Sequence, residues 1–185
     1  ITAYLRRDNH PAPADWMKGR AVHERFLYEL ATHPSLLSML RAVLGEDIIL
    51  WGVYVVSRRP GDIHPWHSDI ESSDPKGRFA TAWIGLEHTN RKSALQLISR
   101  SHRIGKTVQE VRLERGVRRV LVTPEELLTA AREFEPEAEL LQPEMTNGDA
   151  ILFDGRLWHG SDNTHKWWKR TALLFQYAAA DRQVR

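Results

Sequence analysis

The chain has 185 residues, a formal net charge of +2 and no cysteine. That length suits one domain, 1–185, whose core needs no covalent staple. The missing cysteines remove disulfides, thiolate zinc sites and cysteine nucleophiles, and a charge this close to balance, without a lysine block or basic tail, argues against nucleic acid as a partner.

In chain order, "AVHERFLYELA" (21–31) spaces Val22, Phe26, Leu27 and Leu30 at helical intervals, and "HPSLLSMLRAVLG" repeats the pattern with Pro34 at its start and Gly45 as a stop. A helical N-terminal part over about 15–45 is expected. Short β-branched and aromatic runs follow at 48–56, 79–86, 94–98, 117–122, 150–153 and 171–178. Turn residues bound them, as strands require. "TPEELLTAAREF" (123–134) is the exception: Thr123, Pro124 and Glu126 make a capping box, so a helix is inserted there. Strands without regular βα alternation predict a mainly β fold with flanking helices, a double-stranded β-helix or jelly-roll barrel over about 48–180. No apolar run approaches the ~18 residues of a membrane span and no signal-peptide pattern opens the chain, so a soluble, cytoplasmic protein is expected. The first residue is Ile1 rather than Met, which leaves room for further residues in the gene product.

The chemistry concentrates in two segments. "DIHPWHSDIES" (62–72) sets His67 and Asp69 two apart, so in an extended chain an imidazole and a carboxylate face one point while Ser68 faces away. Alone, His-x-Asp in a chain with nine histidines is a weak signal, and a polar turn is the simpler reading. "GDAILFDGRLWHGSDNTHKWWKRTALLFQY" (148–177) then supplies His159 just beyond a strand and Arg170 eleven residues later. Two histidines and one carboxylate form the facial triad of non-haem Fe(II) oxygenases, which leaves three coordination positions open. A 2-oxo acid can fill two of them and O₂ the third. A distal carboxylate on that acid calls for the planar fork of an arginine, the part Arg170 fits.

With these residues in place the chain resembles the phytanoyl-CoA dioxygenase family of Fe(II)/2-oxoglutarate-dependent oxygenases. The likeness runs from "HPSLLSMLRAVLG" to "RTALLFQY" and is carried by "PWHSD" (65–69), "TAWIGL" (81–86), "LQLISRSHR" (95–103) and the ordered series Gly148, Asp149, Phe153, His159, Ser161, Asn163 and Arg170. The resemblance implies that His67, Asp69 and His159 bind iron, that Arg170 and Ser161 hold the distal carboxylate of 2-oxoglutarate, and that Trp83 lines the cosubstrate pocket. It implies oxidation of a C–H bond of a small molecule, such as a secondary metabolite or an anionic ester, with Fe(II), 2-oxoglutarate and O₂ and release of succinate and CO₂. An aspartate at 69 favours hydroxylation, desaturation or ring formation over halogenation, for which related enzymes carry a small residue there. Two departures stand out. Arg100 occupies the place of a common glycine, and "RKS" (91–93) replaces an Asn-Gly near the expected substrate mouth.

Two other readings compete. His64 and His67 form H-x-x-H, and a zinc hydrolase on His67, Asp69 and His159 is the enzyme alternative, although it leaves Arg170 unexplained. A non-catalytic jelly-roll binding module is the other, although such modules usually lose a ligand or the arginine. His64 itself reads as a loop residue near the pocket, and His102 as a structural hydrogen bonder. Trp66, Trp158, Trp167 and Trp168 either surround the site mouth or pack the barrel rim. Arg112, Arg115, Arg118 and Arg119 either attract an anionic substrate or form a solvated face. The loops 70–78, 87–93 and 103–147 are expected to set specificity, the last as a lid. Substrate identity and oligomeric state are not legible.

Overall fold

The computed structural model describes residues 19–69, 77–117 and 122–181. The described residues before the first strand form three helices, α1 (Arg20–His23), α2 (Arg25–Ala31) and α3 (Pro34–Leu44), and residues 15–18 of the expected helical part lie outside the described residues. The single helix expected over 21–31 is broken at Glu24, which takes extended dihedrals and caps α2. Pro34 opens α3, and Gly45, at φ 91°, closes it where a side chain would be strained.

Among the described residues eight strands follow: β1 (Ile48–Arg58), β2 (Ile63–His67), β3 (Phe79–Glu87), β4 (Gln96–Ile98), β5 (Leu140–Leu141), β6 (Ala150–Asp154), β7 (His159–Asp162) and β8 (Arg170–Ala179). They form two four-stranded antiparallel sheets in the orders β1-β8-β3-β6 and β2-β7-β4-β5. This is the double-stranded β-helix expected from the strand pattern, with hydrogen bonding inside each sheet rather than closure into one barrel. The run 117–122 falls largely outside the described residues, and Val117 and Val122 are not in strands.

Alternation along the strands sorts side chains into three layers. Ala80, Ala82, Leu173, Phe175 and Tyr177 face out from the first sheet and bury Leu27, Leu40 and Leu44 of the helices. The Tyr177 hydroxyl donates to Ala31 O at 2.8 Å, tying β8 to α2. Between the sheets, Trp83, Leu95, Leu97, Phe153 and Ala172 form a second cluster. The third lies outside the second sheet, where Trp66, Ile98 and Trp158 pack against α4 (Val108–Glu114) and α5 (Pro124–Arg132).

Helix α5 starts where expected, with Thr123 and Glu126 completing the capping box. Helix α4 was not expected, yet Thr107 and Glu110 cap it in the same way. Its buried Val108 and Val111 lie in the same cluster as Leu127 and Ala131 of α5. Helices α4 and α5 of the 103–147 segment therefore back the second sheet instead of closing over the site as a lid. Among the described residues no helix is long and apolar enough to cross a membrane.

Candidate metal centre and anion site

β2 and β7 bring the histidines together through an irregularity that the sequence does not announce. In a regular strand His64 and His67, three apart, would face opposite sides of the sheet. Here His64 pairs with Ser161 and His67 with His159, so three steps on β2 span two on β7 across a bulge. Both β2 histidines thereby turn to the inner face. His64 is a strand residue whose ring meets that of His67 at 4.4 Å between centroids, not the loop residue expected. On the opposite face Trp66 covers Gly160, where an added Cβ would lie 3.1 Å from the indole.

Asp69 follows β2, with its backbone N–H held by Gly155 O at 2.9 Å. Its Oδ1 lies 3.6 Å from Nε2 of both His67 and His159. The three donor atoms all lie within 4.8 Å of one another, close enough to share one ion. Each imidazole is oriented from behind: Nδ1 of His67 lies 2.8 Å from Pro65 O, and Nδ1 of His159 lies 2.8 Å from Leu157 O. A carbonyl only accepts, so each Nδ1 carries the proton and each Nε2 presents a lone pair to the centre. Thr81, on the inner face of β3, donates to Asp69 Oδ2 at 2.6 Å and leaves Oδ1 free.

The electrostatics suit a cation. Burial raises the Asp69 pKa, but the neighbouring imidazoles of His159 and His67 and the hydrogen bond from Thr81 outweigh it and bring it down to about 2. Burial, with His67 adding to it and Asp69 opposing, lowers His159 to about 4. Near neutral pH the site thus holds a charged carboxylate and an unprotonated His159. This donor set, two imidazole nitrogens and one carboxylate oxygen, fits a divalent transition metal with positions left open.

Arg170 opens β8 on the same inner face, 1 % exposed. Its Nε donates to Ser93 O at 3.1 Å and one Nη donates to Ser161 Oγ at 2.8 Å. The remaining Nη1 is buried with no hydrogen-bond partner. A guanidinium left with an unfilled donor in a dry wall calls for an anion. Trp83 lies under this guanidinium, 5.2 Å from ring centroid to Cζ, within the inter-sheet core. It meets the anion site through Arg170. Of residues 91–93, Ser93 sits behind Arg170 through its carbonyl, whereas Arg91 is exposed and pairs with Glu144 at 3.8 Å.

The centre opens into a cleft of about 540 Å³ between β1, β8 and the end of β2. Its walls include Tyr54, Arg58, His64 and Gln176, together with His67 and Asp69. Sequence reasoning did not single out Arg58 or Thr81. Thr81 shares its strand face with Trp83, a period-two signal. For Arg58 the face becomes apparent only from the pairing of β1 with β8. Of the tryptophans, Trp66 and Trp158 are core, whereas Trp167 is exposed and Trp168 stacks on His88. Arg115 pairs with Glu133 at the surface, a solvated contact, and Arg118 and Arg119 lie outside the described residues. His102, expected to be a hydrogen bonder, buries Nδ1 without a partner.

Comparison with known proteins agrees with this architecture. The chain is 22 % identical over 167 residues to the human peroxisomal phytanoyl-CoA dioxygenase, covering 85 % of this chain and 47 % of that protein. The rat enzyme of the same name is 20 % identical over 164 residues. The chain thus spans about half the length of these curated relatives. Among solved structures, HygX from Streptomyces hygroscopicus with nickel and 2-oxoglutarate bound superposes with a TM-score of 0.66 at 16 % identity, covering 97 % of this chain and 74 % of that one. EctD from S. alaskensis gives 0.65 at 22 %, covering 88 % and 56 %. The epimerase SnoN, in complex with Fe³⁺, α-ketoglutarate and nogalamycin RO, gives 0.63 at 14 %, covering 88 % and 62 %. These likenesses carry the fold, and the phytanoyl-CoA dioxygenase (PhyH) family model matches residues 4–171, so the chain belongs to the phytanoyl-CoA dioxygenase family.

Proposed function

We propose that the chain is an Fe(II)- and 2-oxoglutarate-dependent oxygenase acting on a C–H bond of a small molecule. The observation that carries this reading is the pairing of two pinned imidazoles and a carboxylate with a buried arginine whose Nη1 has no partner. His67, Asp69 and His159 would hold the iron through Nε2, Oδ1 and Nε2. Arg170 and Ser161 would take the distal carboxylate of 2-oxoglutarate, with Trp83 buttressing the guanidinium from below. Iron and 2-oxoglutarate held there would, with O₂, supply the oxidation, with succinate and CO₂ as by-products.

The protein's own part is positional. The main-chain carbonyls of Pro65 and Leu157 fix the tautomer and plane of each imidazole, Thr81 fixes the carboxylate, and the inter-sheet core keeps water from Arg170. An aspartate at 69 fills the third ligand position and directs the chemistry to hydroxylation, desaturation or ring formation. The cleft has the size of a small-molecule site. SnoN, whose structure holds nogalamycin RO, is a neighbour consistent with that class of substrate.

Calorimetric titration of 2-oxoglutarate into O₂-free, Mn(II)-loaded protein tests the reading. One 2-oxoglutarate per metal is expected, and Arg170→Ala should weaken it on the order of 100-fold, the loss of charge-assisted bonds in a dry site. Zinc binding with no uptake of 2-oxoglutarate would instead favour a hydrolase on the same three ligands, and no metal binding would favour a binding module.

A further inference from the structure

Two arginines stand side by side in the wall of the site. Arg58, the last residue of β1, pairs in register with Arg170, the first of β8. Like charges on directly opposed strand positions repel, and neither guanidinium has a carboxylate partner among the described residues. Arg58 donates to Ser57 O at 3.1 Å and to His64 Nδ1 at 2.8 Å, both uncharged acceptors. Burial and the charge of Arg58 together bring Arg170 down to about 10. The pair is therefore a concentration of positive charge with one anion, the distal carboxylate assigned to Arg170, to offset it.

Arg58 differs from Arg170 in where it points. Arg170 is sealed in the inter-sheet core, whereas Arg58 is half-buried and lines the open cleft beside His64, which touches the ligand His67. A guanidinium there faces whatever enters the cleft. The far wall carries a complementary group: Gln176 is buried and its Oε1 has no hydrogen-bond partner. Gly52 lies opposite it, and an added Cβ at Gly52 would fall 2.8 Å from that oxygen. The cleft thus presents a cation at one end and a bare acceptor in its wall.

From this arrangement we infer that Arg58 anchors an oxyanion of the primary substrate, a carboxylate or a phosphate ester. The substrate class is an acid whose C–H bond is brought to the metal from its anionic end, with a hydroxyl or amine donor available to Gln176. This rests on the oxygenase reading above and adds the substrate's charge to it. It also moves the anion-recognising part away from the arginines of 112–119 and onto β1. By donating to Nδ1, Arg58 also leaves His64 with its proton on Nε2. A role confined to orienting that ring is the rival explanation, and a neutral hydrogen-bond donor would preserve it.

Inorganic phosphate is the probe. O₂-free, Co(II)-loaded protein is titrated with phosphate, before and after saturation with 2-oxoglutarate, and the metal-induced ³¹P relaxation is followed. A saturable enhancement is expected in the wild type and in Arg91→Gln, a surface charge control. Arg58→Gln should weaken phosphate about tenfold or more while leaving 2-oxoglutarate affinity within about twofold, and Arg58→Lys should restore part of the loss, because charge rather than hydrogen bonding to His64 is required. Unchanged phosphate relaxation in Arg58→Gln, or none in the wild type, overturns the anchor. A loss confined to 2-oxoglutarate affinity also overturns it and moves Arg58 to the cosubstrate. A wild type that binds Co(II) but takes up no 2-oxoglutarate sinks the oxygenase reading alone, since the titration without cosubstrate still decides the anion site.

Discussion

Thr81 shows how much of the metal centre depends on a group that no motif marks. Its hydroxyl fixes one carboxylate oxygen of Asp69, so that the other faces both imidazoles. Thr81→Val keeps the side-chain shape and removes that bond, freeing Asp69 to rotate. Fe(II) affinity, measured by competition with a chromophoric chelator under argon, should fall about 10- to 100-fold, as for other partners of metal ligands, and an affinity within about twofold of wild type would contradict the assignment. The candidate metal-binding residues themselves were readable. His67 and Asp69 are two apart in an extended segment, and His159 and Arg170 flank a clear strand boundary. Arg58 and His64 were not, because a bulge in β2 and the β1–β8 register decide which way they face, and neither is written in local periodicity.

At the scale of elements, the turn between β4 and the Ser101–Arg103 3₁₀ helix explains one departure from the family pattern. Arg100 sits there at φ 62°, ψ −7°, a left-handed conformation in which glycine carries no penalty. The Arg100–Glu137 ion pair at 2.8 Å is exposed and offsets little of that strain. Arg100→Gly should therefore raise stability by about 1 kcal/mol in urea denaturation, and a loss of stability would show that the ion pair outweighs the backbone. The adjacent Ser101 has a different task, accepting from the N–H of Trp158 at 2.8 Å and so setting the entry of the chain into β7 and His159. Helix α5 was legible from its capping box. The same Thr-x-x-Glu signature at Thr107 and Glu110 was available for α4, but a seven-residue helix shows too few turns for apolar periodicity to register. The split between α1 and α2 was hidden for the opposite reason, since the apolar spacing continues smoothly through Glu24.

Across the whole molecule, the sheets divide labour by face. Helices cover the outside of both, and the inner faces carry Thr81, His159, Ser161 and Arg170 above a tryptophan-centred core. Strand number and the absence of βα alternation made the jelly roll legible, whereas the packing of α4 and α5 behind the second sheet was not, because a capped amphipathic helix packs equally well against a sheet or over a cleft. On the proposed function, this inner face would assemble one iron and one 2-oxoglutarate. The most direct test is anaerobic addition of Fe(II) and then 2-oxoglutarate to the metal-free protein, with the visible spectrum recorded at each step. A weak metal-to-ligand charge-transfer band that appears only when both are present, and is lost in Asp69→Ala and diminished in Arg170→Ala, is the predicted result. A protein that binds Fe(II) and shows no such band at any 2-oxoglutarate concentration would contradict the account.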